Sequence, residues 1–165
     1  MLIREIQTED AEKFISLIKK VESQADFMLM GAGERKTTPE QQRKQIEQIK
    51  QQSNSTIFVV EEQRRLVGYL VVIGGRVNRT KHSAYLVIGI LEEYRGQGIG
   101  KRLFQSLEEW AKNKNISRLE LSVVTQNEAA LALYRKSGFE IEGIKRNSLM
   151  INHELYNEYF MAKLV

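Results

Sequence analysis

The chain switches repeatedly between two hydrophobic periods. "LIREI" at residues 2–6, a short run with Leu2, Ile3 and Ile6 as its apolar positions, reads as a short strand. Behind it, Phe14, Ile15, Ile18 and Val21 share one helical face, and Thr8 is placed to cap that helix. A second helix is predicted from "TPEQ", with Thr38 at the N-cap, Pro39 at the first helical position and Gln41 at the capping-box position. It is mostly Gln, Lys and Glu, with Ile46 and Ile49 as its anchors, so it is expected on the surface. "TIFVVEE", "RLVGYLVVIGG" and "SAYLVIGIL" then read as strands, and the short polar turns between them predict antiparallel neighbours. A long helix from Ile99 turns Leu103, Leu107 and Trp110 inward. "RLELSVV" reads as a strand, "NEAALALYRKSG" as a helix ending at Gly138, and "FEIEGIK" and "YFMAKLV" as closing strands. The order β-α-α-β-β-β-α-β-α-β-β predicts an α/β fold, a mixed central sheet of about seven strands with about four helices on its faces. Without a repeat, linker or low-complexity tract, residues 1–165 are expected to form one domain.

Composition narrows the chemistry. A hydrophobic share of 42% and a charged share of 28% are those of an ordinary globular chain. The formal charge of +4 suits an anionic ligand, but both signs are scattered along the chain, which argues against a nucleic-acid partner. The absence of cysteine excludes disulfides, thiolate metal sites and a Cys nucleophile, and fits a reducing compartment. No metal is expected. "MLIREIQTED" lacks an apolar h-region and no stretch approaches 18 apolar residues, so neither export nor a membrane span is predicted and the cytoplasm is the expected location.

"YRGQGIGKRL" at residues 94–103 places three glycines at alternate positions just before a helix. A Walker A loop would need Gly five residues before Gly100-Lys101, where Arg95 stands, and Ser or Thr at position 102, which is Arg. The dinucleotide pattern Gly-x-Gly-x-x-Gly fails as well, because its last position falls on Lys101 or Leu103. What remains is a strand, an acidic turn at Glu92 and Glu93, and a Gly-rich loop feeding a helix N-terminus, which is an anion site.

Taken whole, "VIGILEEYRGQGIGKRL" resembles the acetyl-CoA signature of the GNAT superfamily of N-acetyltransferases, Arg/Gln-x-x-Gly-x-Gly/Ala, with Arg95, Gly98 and Gly100 in place. "NEAALALYRKSGF" resembles the second family motif through Asn127, Tyr134, Gly138 and Phe139. The resemblance implies the GNAT fold, with parallel fourth and fifth strands that splay apart. It implies direct transfer of acetyl from acetyl-CoA to a primary amine in a ternary complex, without an acyl-enzyme. The pyrophosphate would rest on the amides of Gly96, Gln97, Gly98, Ile99, Gly100 and Lys101, and side chains at Gly98 or Gly100 would stand in its way. Lys101 and Arg102 either add charge there or are solvated cations. The pantetheine arm would pair with Ile88, Gly89 and Ile90, and the Ile90 N–H would donate to the thioester oxygen. Asn127 would contact the coenzyme, although Thr125-x-x-Glu128 also reads as a capping box that makes Asn127 a first-turn residue. Tyr134, otherwise a helix tyrosine packing on Ala130 and Leu131, would donate to the departing thiolate. Full proton transfer from a phenol near 10 to a thiolate near 8.5 is uphill by roughly 2 kcal/mol, so hydrogen bonding suits it better.

A lysine-like amine is only about one part in 2,500 neutral at pH 7, so a base is useful. Positions that carry a Glu in some relatives are Ala84 and Ser122 here. Glu120, on the strand face of Ser122, is the substitute candidate, ahead of His82, Ser83 and Tyr85. For the acceptor, "ESQADFMLMGAGERK" offers Glu22, Asp26 and Glu34 to a cation and Phe27 and Met28 as apolar contacts, while the basic "GGRVNRTKHS" suits an acidic acceptor. A small-molecule amine is the expected acceptor. The alternatives are a protein N-terminus or lysine, a silent coenzyme-A sensor, and an interaction module. A homodimer is left open.

Overall fold

The structure, a computed structural model, describes residues 1–165 throughout. Its strands are β1 (Leu2–Glu5), β2 (Thr56–Glu62), β3 (Arg65–Gly74), β4 (Ser83–Ile90), β5 (Arg118–Val124), β6 (Glu140–Ile151) and β7 (Glu154–Leu164). Its helices are α1 (Ala11–Gln24), α2 (Pro39–Gln51), α3 (Ile99–Asn113) and α4 (Glu128–Lys136). The strands form one sheet in the order β1-β2-β3-β4-β5-β7-β6. Every pairing is antiparallel except that of β4 with β5. No helix is long and apolar enough to cross a membrane.

β2 and β3 lie near the centre of one half of the sheet and are buried on both faces, which explains their unbroken apolar runs. On one face, Tyr69 of β3 meets Phe14 of α1 edge-on at 5.7 Å. On the other, Phe58 of β2 meets Trp110 of α3 at 6.4 Å. Phe58 pairs with Leu70, the neighbour of Tyr69, so the two aromatic contacts report opposite faces. α2 packs beside α1 and turns in Ile46 and Ile49 together with the buried Gln42, while Thr38 and Gln41 close its capping box.

The feature that positions the site is where β4 and β5 stop pairing. Only Ser83–Arg118, Ala84–Leu119 and Tyr85–Glu120 are in register. β4 nevertheless stays paired with β3 as far as Ile90, and β5 with β7 as far as Val124. Past Tyr85 and Glu120 the strands diverge, and a wedge opens in the middle of the sheet.

Three local expectations change. Thr8 begins a 3-10 turn over residues 8–10 instead of capping α1; Gln7 precedes that turn, and its N–H donates to Asp10 Oδ2 at 2.7 Å. Asp10 is buried there because Arg4 grips both its oxygens at 2.8 and 2.9 Å. At α4 the capping box of Thr125 and Glu128 does not form. Asn127 is the N-cap and its Oδ1 accepts the Ala130 N–H at 3.3 Å. Finally, β6 and β7 run well past "FEIEGIK" and back before "YFMAKLV", through the polar stretch "RNSLMINHELYNE". Asn152 and His153, both left-handed at φ +50° and +65°, form the two-residue turn that matches strand twist in a hairpin.

Candidate active site

Where β4 ends, the Leu91 N–H donates to the Val67 carbonyl at 3.0 Å, closing the β3 ladder. A single 3-10 turn over Glu92–Tyr94 follows. Arg95 then folds back, and its Nε donates to the Ile90 carbonyl at 3.1 Å. Gly96 and Gly98 adopt φ of +74° and +79°, values that cost other residues roughly 1–2 kcal/mol. The first bond of α3 runs from the Arg102 N–H to the Gly98 carbonyl at 3.1 Å. Consequently the amides of Gly96, Gln97, Gly98, Ile99, Gly100 and Lys101 have no acceptor in the protein. Six consecutive unpaired donors at the positive end of a helix form a seat for an anion.

Gly100 has a second task beside the amide it offers the seat. It is buried, and a Cβ there would lie 2.7 Å from Leu133 Cδ2 of α4, so this glycine lets α3 and α4 approach. Around Gly98 the space is open, and its requirement is the positive φ alone.

Backbone parity places the β4 donors. The Leu91 N–H and the Ser83 carbonyl both bond to β3, so odd-numbered residues face β3 and even-numbered ones face β5. The N–H groups of Ile88 and Ile90 therefore point into the wedge, and that of Gly89 points to β3. The same reasoning on β5, whose Ser117 and Thr125 bond to β7, turns the backbone of Ser122 toward the wedge. Gly89 contributes space: a Cβ there would lie 2.5 Å from the Tyr69 ring.

Tyr134 of α4 is buried in a ring cluster with Phe104 at 5.9 Å and Phe139 at 6.2 Å. Lys163 of β7 steadies the helix by donating to the Ser137 carbonyl at 2.7 Å and to Glu108 of α3. Burial, with Tyr85 nearby, pushes the Tyr134 phenol well above its ordinary value, so it is a neutral hydrogen-bond donor across the working pH range. Asn127, half-buried, uses its Oδ1 on the cap and keeps its side-chain N–H₂ unbonded.

On the α1 face the predicted acceptor residues separate. Phe27 packs edge-on against Tyr156 of β7 at 5.7 Å, and Met28 rests on the core. Asp26 and Glu34 are exposed. Glu22 is only 4% exposed, and Arg35 holds both its oxygens at 2.8 to 3.2 Å. A buried carboxylate so held is not free to meet a cationic ligand, which corrects its expected role. Arg35 gave no signal in the sequence because its partner lies 13 residues away across an irregular segment. Glu120 accepts from Arg118 Nε at 3.0 Å, and Arg118 also forks onto Glu142 at 2.6 and 3.1 Å. Ala84 is buried, His82 is exposed, and Tyr85, exposed, lies across from Glu120. Ser122, two residues beyond Glu120 on the same face, has a buried Oγ with no hydrogen-bond partner.

The model of the Acetyltransferase (GNAT) family matches residues 21–139, and the chain belongs to that family. It is 30% identical over 100 residues, 60% of its own length, to the L-amino acid N-acetyltransferase AaaT of Escherichia coli. It is 42% identical over 83 residues, 49% of its length, to the N-alpha-acetyltransferase RimI of Mycobacterium tuberculosis. The matched stretches span 62% and 49% of those two relatives, less than two thirds of either. Among solved structures, an acetyltransferase of GNAT family from Streptococcus pneumoniae superposes with a TM-score of 0.96 at 28% identity, covering 99% of both chains. The mixed seven-stranded sheet and its parallel β4–β5 pair are those of the GNAT fold.

Proposed function

We propose that this protein is an N-acetyltransferase that moves the acetyl group of acetyl-CoA directly to a primary amine. The observation that carries the reading is the run of six unpaired amides from Gly96 to Lys101 beside a wedge lined by the free N–H groups of Ile88 and Ile90. The amides receive the pyrophosphate, and their charge-assisted hydrogen bonds stabilise it by about 1.5–3 kcal/mol each. The pantetheine arm takes the place of a strand between β4 and β5, bonding to Ile88 and Ile90. At the thioester, the Ile90 N–H donates to the carbonyl oxygen as it gains negative charge. The Tyr134 hydroxyl donates to the sulfur as the C–S bond breaks, and Asn127 donates to the coenzyme through its free amide nitrogen. The acceptor is a small amine. In support, the contact between Phe27 and Tyr156 bridges the segment after α1 to the β6–β7 hairpin and narrows the approach on that side. Both relatives carry names that describe acetyl transfer to nitrogen.

The test combines binding with turnover. Calorimetry with acetyl-CoA is expected to give saturable one-site binding to the native chain and at least about 10-fold weaker binding to Gly98→Val, the loss of one charged hydrogen bond. A thiol-release assay over amino acids, polyamines, aminoglycosides and N-terminal peptides identifies the acceptor. Equal affinity of the two proteins for acetyl-CoA refutes the seat. Binding without turnover on any amine replaces the enzyme by a coenzyme-A sensor.

A further inference from the structure

Stability alone does not account for the pair of Glu22 and Arg35. Glu22 is buried, and a buried ion pair generally stabilises a fold no more than apolar residues of the same volume would. The pairing is also one-sided. A guanidinium carries five N–H donors in a planar fork. Glu22 takes one edge of it, through Nε at 3.0 and 3.2 Å and Nη2 at 2.8 Å. Nη1 donates to nothing in the protein. The one buried side-chain polar atom without a partner is Ser122 Oγ, so Arg35 Nη1 is open to solvent, and the side chain as a whole is 25% exposed. Its free end, Nη1 with the second Nη2 hydrogen, is a ready fork for another carboxylate.

Tyr69 places this fork at the wedge. Its ring lies over Gly89 of β4, where an added Cβ would come within 2.6 Å of the hydroxyl oxygen, and Ile88 and Ile90 flank that glycine. On the α1 side Tyr69 packs on Phe14 and stands close enough to Glu22 and Arg35 to feel both charges. It also feels Tyr134 of α4, across the sheet. Tyr69 is only 2% exposed, yet its hydroxyl has no partner and is not a buried orphan like Ser122 Oγ, so the opening reaches the hydroxyl. Burial, with the Glu22 carboxylate near, keeps the phenol well above its ordinary value and therefore a neutral donor. The basic stretch at residues 75–82 is no rival, because it precedes Ser83 at the closed end of the wedge, roughly 23 Å along β4 from Ile90.

We propose that the free fork of Arg35 binds a carboxylate on the acceptor, with the Tyr69 hydroxyl as a further donor, so that the amine acetylated by this protein belongs to an amino acid. This rests on the acetyltransferase reading above and names its substrate class. Glu22 does not touch the acceptor. It holds the guanidinium plane from the buried side, so the fork is aimed before a ligand arrives and little side-chain freedom is left to lose on binding. An α-amino acid carries its nitrogen two bonds from its carboxylate carbon. Anchoring the carboxylate beside Tyr69 therefore presents the nitrogen next to Ile90, whose N–H holds the thioester oxygen in the proposed complex. A plain amine leaves the fork without a partner.

The test compares each L-amino acid, as acceptor in the thiol-release assay, with the amine left when its carboxylate is removed. By kcat/KM the native protein is expected to favour the amino acid at least about 10-fold in the best pair. Arg35→Lys keeps a cation for Glu22 but offers no planar fork, and Glu22→Met/Arg35→Leu removes the pair while filling its space. In both, the preference is expected to fall at least about 10-fold, mainly through KM, as for the loss of a charge-assisted hydrogen bond. Tyr69→Phe should lower it about 3-fold or more. Thermal melts report whether each variant is folded. A native protein that takes plain amines as readily as amino acids overturns the proposal, as does a preference that survives in the folded variants. A second measurement needs no turnover. L-amino acids are titrated by calorimetry into the protein with coenzyme A present, and saturable binding is expected, at least about 10-fold weaker in Arg35→Lys. Binding of no amino acid, or equal binding by the two proteins, overturns the fork. Absence of turnover on every amine fails the parent reading instead, and the titration then decides the carboxylate site alone.

Discussion

Gly100→Ala separates two explanations of the same motif glycine. An added Cβ would sit 2.7 Å from Leu133 Cδ2, against 3.4–4 Å in ordinary contact. Overpacking of this kind costs about 1–3 kcal/mol. Against it stands the gain of replacing Gly by Ala in a helix, up to about 1 kcal/mol. The net expectation is a destabilisation of up to about 3 kcal/mol, which for a chain of this length lowers Tm by up to about 12 °C. Because the obstruction is one side chain, it should vanish in a Leu133→Ala background. There Gly100→Ala is expected to be neutral or stabilising by up to about 1 kcal/mol, a coupling of about 1–3 kcal/mol in the double-mutant cycle. Urea melts of the four proteins measure the cycle, and calorimetry with acetyl-CoA reads the second consequence. The methyl group points at α4, so the double variant should bind acetyl-CoA as Leu133→Ala does. Equal destabilisation in both backgrounds refutes the packing account. Intact stability with binding lost by 10-fold or more would return Gly100 to the phosphate.

Three further outcomes are expected. Tyr134→Phe should lower kcat by about 100-fold or more while the Kd for acetyl-CoA moves less than about 3-fold, because the proposed reaction uses this neutral, buried hydroxyl only on the leaving sulfur. Arg35→Ala strands the Glu22 carboxylate in the interior and should cost about 3 kcal/mol in thermal melts, most of it recovered in Glu22→Met/Arg35→Leu. Arg4 holds the Asp10 pKa below its usual value, so its contribution is complete above the unfolded pKa near 3.9 and is lost as pH falls through the folded value. Asp10→Asn should therefore be less stable than the native chain at pH 7, and the two melting curves should converge in strong acid.

The regular parts of the fold were legible because their signals are local. The inward stripe of α1, the Thr38-Pro39-Gln41 start of α2 and the apolar runs of β2 to β4 each report burial within a few residues of sequence. The anion seat was legible for a similar reason, since left-handed glycines before a helix leave donors unpaired whatever the rest of the chain does. What escaped depends on pairs that are distant in sequence. Leu133 explains Gly100 only once α4 lies on α3, Arg35 explains Glu22 only once the segment after α1 folds back, and Tyr69 explains Gly89 across the sheet. The hairpin extension escaped for another reason. Its outer residues, Met150 and Leu155 among them, stay exposed, so no alternation of buried and exposed positions marks it as strand.

Three residue pairs are all that join β4 to β5. Mechanically the sheet is two plates, one of four strands and one of three, riveted at one end. In the proposed complex, an arm bonded to Ile88 and Ile90 and filling the gap acts as a strut between the plates. Amide hydrogen exchange at Ile88, Ile90, Ser122 and Val124 should then slow on coenzyme binding far more than at β1 or the hairpin tip, and return to its former rate once the spent carrier departs.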